Sequence, residues 1–247
     1  MILDLDCSNV DTTFDCVTRL IGIDREELES KFRNGNERDW PGLHYEEYLL
    51  QIVFGDSRYQ LPEPELAYWF HSTRILKTTT FDEGLKPTSE IREDLVRSLA
   101  TLAEEMSLCS LEEFGKLPMT GNGAQRLAAK HSNGARDDGP HGFLIRETIP
   151  DTYFRAPEFV KEYCEAIPFE IGSPLADEYS NRTFPAVVKF SSTFQLRRIL
   201  LTAMYYLHQA TTRPNDFSDY TVHGIGGERH VVSRDDIVSI EFVNQTK

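Results

Sequence analysis

Residues 69–88 read WFHSTRILKTTTFDEGLKPT. The aromatic pair Trp69-Phe70 runs directly into His71, the hydroxyl residues Ser72 and Thr73, and Arg74, and a Gly84-Leu85-Lys86-Pro87 turn follows. A strand buried on both faces asks for a continuous run of Val, Ile and Leu. This mixture therefore reads as either packing oddments or one wall of a site. Outward from it, short apolar or aromatic runs alternate with turns: AYWFHS, HGFLIRE, AVVKFSS, YTVHGI, RHVVS and IVSIEFV. Their β-branched and aromatic content reads as strands. Helical periodicity marks SEIREDLVRSLATLAEEMS, APEFVKEYCEAI and FQLRRILLTAMYYLHQA. Strands and helices without a regular βαβ alternation predict an α+β domain on a split or mixed sheet.

Upstream the texture differs. VDTTFDCVTRLIGIDREELESKFRN reads as two short helices, the first capped by Asp11 or Thr12, the second opening at Gly22-Ile23-Asp24. EEYLLQIVFG is a third helix, which LPEPE ends. Residues 1–60 are thus expected to form a helical N-terminal segment for target or partner recognition, and residues 61–247 the main domain.

The composition narrows the function. With 247 residues the chain has enough length for a substantial core. No apolar run approaches the roughly 20 residues of a spanning helix, and MILDLDCSNVD lacks a basic leader; a cytoplasmic chain without membrane partners is expected. Cys7, Cys16, Cys109 and Cys164 are far apart in sequence, which fits reduced, buried thiols rather than disulfides or structural zinc. The net charge of −14 repels polyphosphate at long range and argues against a general nucleic-acid binder. A local basic strip remains in Arg126, Lys130, His131 and Arg136, with Arg197 and Arg198 elsewhere. Rossmann and P-loop glycine patterns, the G-x-S-x-G elbow and H-E-x-x-H are absent from the sequence. GNGAQ at 121–125 reads as a turn.

The residues Phe70-His71-Ser72-Thr73-Arg74 followed by Gly84-Leu85-Lys86-Pro87 resemble the first motif of the ADP-ribosyltransferase superfamily, in its histidine-containing branch. There the strand reads aromatic-His-Gly-Ser/Thr-Arg/Lys, and a helix leads to a Gly-Ile/Leu turn. Ser72 stands where the family has glycine. The resemblance implies a glutamate opening a strand near the C-terminus, and GGERHVVSRDDIVSIEFV, residues 226–243, supplies Glu228, Val231, Val232, Ile237 and Phe242 in that register. The helix after Pro87 reads as an insertion that lengthens the separation. It also implies aromatics around nicotinamide, and GPHGFLIRETIPDTYFRAPEFV offers Phe143 with Tyr153 and Phe154. Alignment on Gly142 puts Leu144 at the first stacking position.

The resemblance implies an ADP-ribosyltransferase-like split sheet and NAD+ as substrate, with no metal. Glu228 and His71 are the catalytic candidates. His71, Ser72, Thr73, Arg74, Phe143, Tyr153 and Phe154 are the NAD-binding candidates, Arg74 toward a phosphate. The implied activity is mono-ADP-ribosylation of a protein or nucleic-acid acceptor, as in a bacterial toxin or antiphage defence effector, with an inhibitory partner protein conceivable. The alternatives are NAD glycohydrolysis and a catalytically weakened NAD- or ADP-ribose-binding module of the same fold. Other readings stay ordinary. Arg74 at a strand end commonly forms an ion pair, His141 reads as exposed loop, His223 and His230 have no assigned role, and Tyr205-Tyr206-His208 reads as the buried face of a helix.

Overall fold

The computed structural model describes residues 3–35, 44–132, 139–150, 154, 156–193, 196, 198–213, 224–225 and 231–243. The chain is a mixed α+β protein. Its elements run β1 (Asp4–Leu5), α1 (Val10–Ile21), α2 (Arg25–Asn34), α3 (Tyr45–Phe54), β2 (Leu66–Ile75), α4 (Thr88–Glu105), α5 (Leu111–Phe114), α6 (Gly121–Ser132), β3 (Gly142–Phe143), α7 (Glu158–Ala166), α8 (Phe169–Arg182), β4 (Phe184–Ser192), α9 (Ile199–Thr212), β5 (Gly224–Ile225) and β6 (Ile237–Phe242).

Two compact units share these elements out of chain order. The first comprises Met1–Phe70, Gly142–Ile149 and Phe190–Ile225, the second His71–His141, Pro150–Lys189 and Gly226–Lys247. Strands β2 and β4 each pass from one to the other, between residues 70 and 71 and between 189 and 190.

In the first unit β1 runs parallel to the start of β2, while β3 pairs antiparallel with β2 at Phe70–Phe143 and with β5 at Gly142–Ile225. The N-terminal helices are built here into the core rather than held apart as a segment of their own: α1, α2 and α3 all pack on α9. The periodic apolar residues make this possible, Phe14, Val17 and Leu20 on α1, Leu28 and Phe32 on α2, Leu49 and Val53 on α3. The cap of α1 is Asn9, whose side chain accepts from the Thr12 amide at 2.9 Å, upstream of Asp11 and Thr12, where the sequence reading put the cap. Asp24 caps α2 as the sequence reading placed it. The buried face of α9 carries Tyr205, Tyr206 and His208, also as read.

In the second unit the strand order is β2-β4-β6, and α4 to α8 enclose an apolar cluster around Leu99, Phe114, Leu127, Phe159, Tyr163 and Leu175. GNGAQ, read as a turn, is the first turn of α6. Its Gly123 is there because α7 passes close: a Cβ would sit 2.5 Å from the Glu162 carbonyl. Helix α8 went unrecognised because Gly172 and Pro174 lie inside it. Gly172 too meets backbone, with the Cys164 carbonyl 2.0 Å from where a Cβ would be. Conversely, HGFLIRE yields only the two-residue strand β3, and among the described residues of YTVHGI and RHVVS there are the two-residue strand β5 and a single bridge at Val232. Among the described residues, no helix is long and apolar enough to cross a membrane.

Substituting Gly172→Ala is expected to destabilise the protein by about 3 kcal/mol or more, at the top of the roughly 1–3 kcal/mol typical of overpacking because the neighbour is backbone. Gly22→Ala, where φ is +71° but nothing lies within 4 Å, is expected to cost only about 1–2 kcal/mol of backbone strain. Urea unfolding followed by far-UV circular dichroism separates the two; equal losses would contradict the packing described.

Candidate functional site

Strand alternation decides what His71 and its neighbours face. Successive side chains of β2 point to opposite sides, so His71 and Thr73 share one face while Ser72 and Arg74 share the other. All four are half-buried, between the fully packed Trp69 and Phe70 on one side and the buried Ile75 on the other. The strand emerges from the core where the polar run begins.

His71 is held by the segment preceding β3. Its Nδ1 lies 2.6 Å from the His141 carbonyl oxygen. A carbonyl only accepts, so Nδ1 carries the proton. Desolvation pushes the His71 pKa below its ordinary value, the His141 hydrogen bond opposing and the nearby His141 imidazole reinforcing that shift. His141 is exposed, as a loop histidine was expected to be, and its backbone carbonyl orients His71.

Arg74 has a different employment from phosphate binding. Its Nε donates to the Thr183 hydroxyl (3.3 Å), Nη1 to the Phe154 carbonyl (3.0 Å), and Nη2 to the carbonyls of Ser180 and Thr183 (both 2.7 Å). The guanidinium satisfies carbonyls that the end of α8 leaves open and joins them to β2 and to Phe154. It is a clamp of the second unit. Neutral carbonyls leave its positive charge uncompensated, and burial pulls its pKa down. Tyr179 lies nearby, its phenol pushed up to about 12 by burial.

The turn between β2 and α4 contains no helix, in contrast to the family pattern. Residues 76–87 form turns in which Phe81 (φ 54°) and Gly84 (φ 79°) adopt left-handed backbone, and Pro87 begins α4, its carbonyl accepting from the Glu90 amide. Leu85 then pairs with Val232 through two backbone hydrogen bonds, each 2.9 Å. A side chain at Gly84 would collide with the Val232 carbonyl, 2.0 Å from the Cβ position. Only glycine suits this turn.

Glu228 and Tyr153 lie outside the described residues, as do His223, His230, Arg136 and Arg197 and the side chains of Lys130 and His131. Phe143, on β3 of the first unit, is 7% exposed and Phe154, in the second, 4%; neither ring face is open to solvent. Leu144 is fully buried. Within the basic strip, Arg126 is neutralised, its Nε 3.2 Å from the buried Glu162 and its Nη2 on Glu165. Three cysteines, Cys7, Cys16 and Cys164, are buried and none is disulfide-bonded. Burial pushes the Cys164 thiol up to about 12, which makes it unreactive.

Because the folded His71 resists protonation while the unfolded chain takes it up near pH 6.5, its contribution to stability is complete above that pH and is lost as the pH falls through the folded value. His71→Gln is expected to flatten the acid limb of a plot of unfolding free energy against pH below about 6.5; an unchanged limb would contradict it. Arg74→Lys, which cannot reach four acceptors, is expected to cost about 2–4 kcal/mol, read as a lower urea midpoint. An unfolding free energy within about 0.5 kcal/mol of the parent would contradict the clamp.

Compared with protein-family models, curated proteins and solved structures, the chain matches none.

Proposed function

We propose that the protein is an NAD-dependent mono-ADP-ribosyltransferase with an ADP-ribosyltransferase-like split sheet, acting on a protein or nucleic-acid acceptor as a toxin or defence effector does. The observation that carries this reading is the reciprocal backbone pair between Leu85 and Val232. It ties the Gly84-Leu85 turn of the His71 motif to the segment that begins three residues after Glu228 in sequence. The reading requires those two stretches, 147 residues apart between the paired positions, to belong to one site, and a hydrogen-bonded bridge is the kind of connection it needs.

The chemistry assigns the roles. The bond from nicotinamide nitrogen to the ribose anomeric carbon breaks, its electron pair leaves with nicotinamide, and the ribose acquires oxocarbenium character, as in glycoside cleavage. The Glu228 carboxylate holds the 2′-hydroxyl of that ribose and offsets the developing positive charge. An acceptor nucleophile then forms the new bond to the anomeric carbon, and its proton passes to water. His71, neutral and donating at Nδ1 to His141, offers Nε2 to a hydroxyl of the adenosine ribose. Thr73, on the same face of β2, and the backbone at Ser72 serve the nicotinamide half. Arg74 takes no part, its guanidinium being used as a clamp.

A second reading, an NAD- or ADP-ribose-binding module with weak or no transfer, is favoured by one observation: Leu144 is buried where the family stacks an aromatic ring, and Phe143 and Phe154 are packed. Nicotinamide release from NAD+ by the full chain, with and without cell lysate, tests both. Transfer predicts release that depends on lysate and falls about a hundredfold or more in Glu228→Gln. Lysate-independent release marks a glycohydrolase, and no release from folded protein contradicts catalysis.

A further inference from the structure

We draw no further inference here: the strongest candidate, the exposed apolar surface patch that Val238 and Phe242 of β6 form with Phe184 at the start of β4, is a sheet face for which nothing in the structure shows what covers it.

Discussion

A carbonyl oxygen, that of Val232, occupies the space in which any side chain at residue 84 would begin. The organisation of the second unit around β2 follows from that approach. With Gly84 in a left-handed conformation, the chain reverses just after the strand, and Leu85 presents its amide and carbonyl to Val232. Closing a loop of 147 residues costs about 4–5 kcal/mol of chain entropy, a cost that grows only logarithmically with length. Burial of Leu85 and Val232, 4% and 1% exposed, contributes about 1.5–3 kcal/mol each. The two are of the same size, so a long insertion of helices between the halves is tolerable. The helices so inserted, α4 to α8, form a core of their own instead of hanging from the bridge.

The first unit is organised by α9, whose aromatic face does two things at once. It fills volume, and it finds partners for its polar tips. Tyr206, with no exposed area, donates to Glu147 at 2.6 Å, and burial together with that carboxylate holds the phenol protonated. Tyr45 and His208 share a 2.6 Å hydrogen bond, with the Phe32 ring edge-on to the imidazole. Buried polar atoms satisfied in this way fix the register of helices that apolar contact alone would let slide. The apolar faces of α1, α2 and α3 are spent in this packing, and any partner of the N-terminal helices would meet their polar sides.

What the sequence revealed divides along the same physical lines. Elements with a clear period were legible: β2, α4, α7, α9 and β6 lie where alternation or helical spacing put them. The missed helical stretches are marked by glycines. Gly123 and Gly172 resemble loop residues, yet each sits in a helix because a neighbouring backbone comes too close for a Cβ, and that closeness is a tertiary fact that no local pattern records. The site was half legible. His71 and the Gly84 turn stood out as residue types in an unusual order. Arg74 did too, but its four acceptors come from Phe154, Ser180 and Thr183, far along the chain. His141 contributes a backbone atom, which its side chain could not announce.

The most direct measurement is a crystal structure of Glu228→Gln soaked with NAD+, the substitution slowing turnover while leaving the carboxamide the shape of the carboxylate. The reading predicts the adenosine ribose hydroxyl on Nε2 of His71 and the nicotinamide ribose at residue 228. NAD+ bound elsewhere on the protein, or with its adenosine half away from His71, would contradict it.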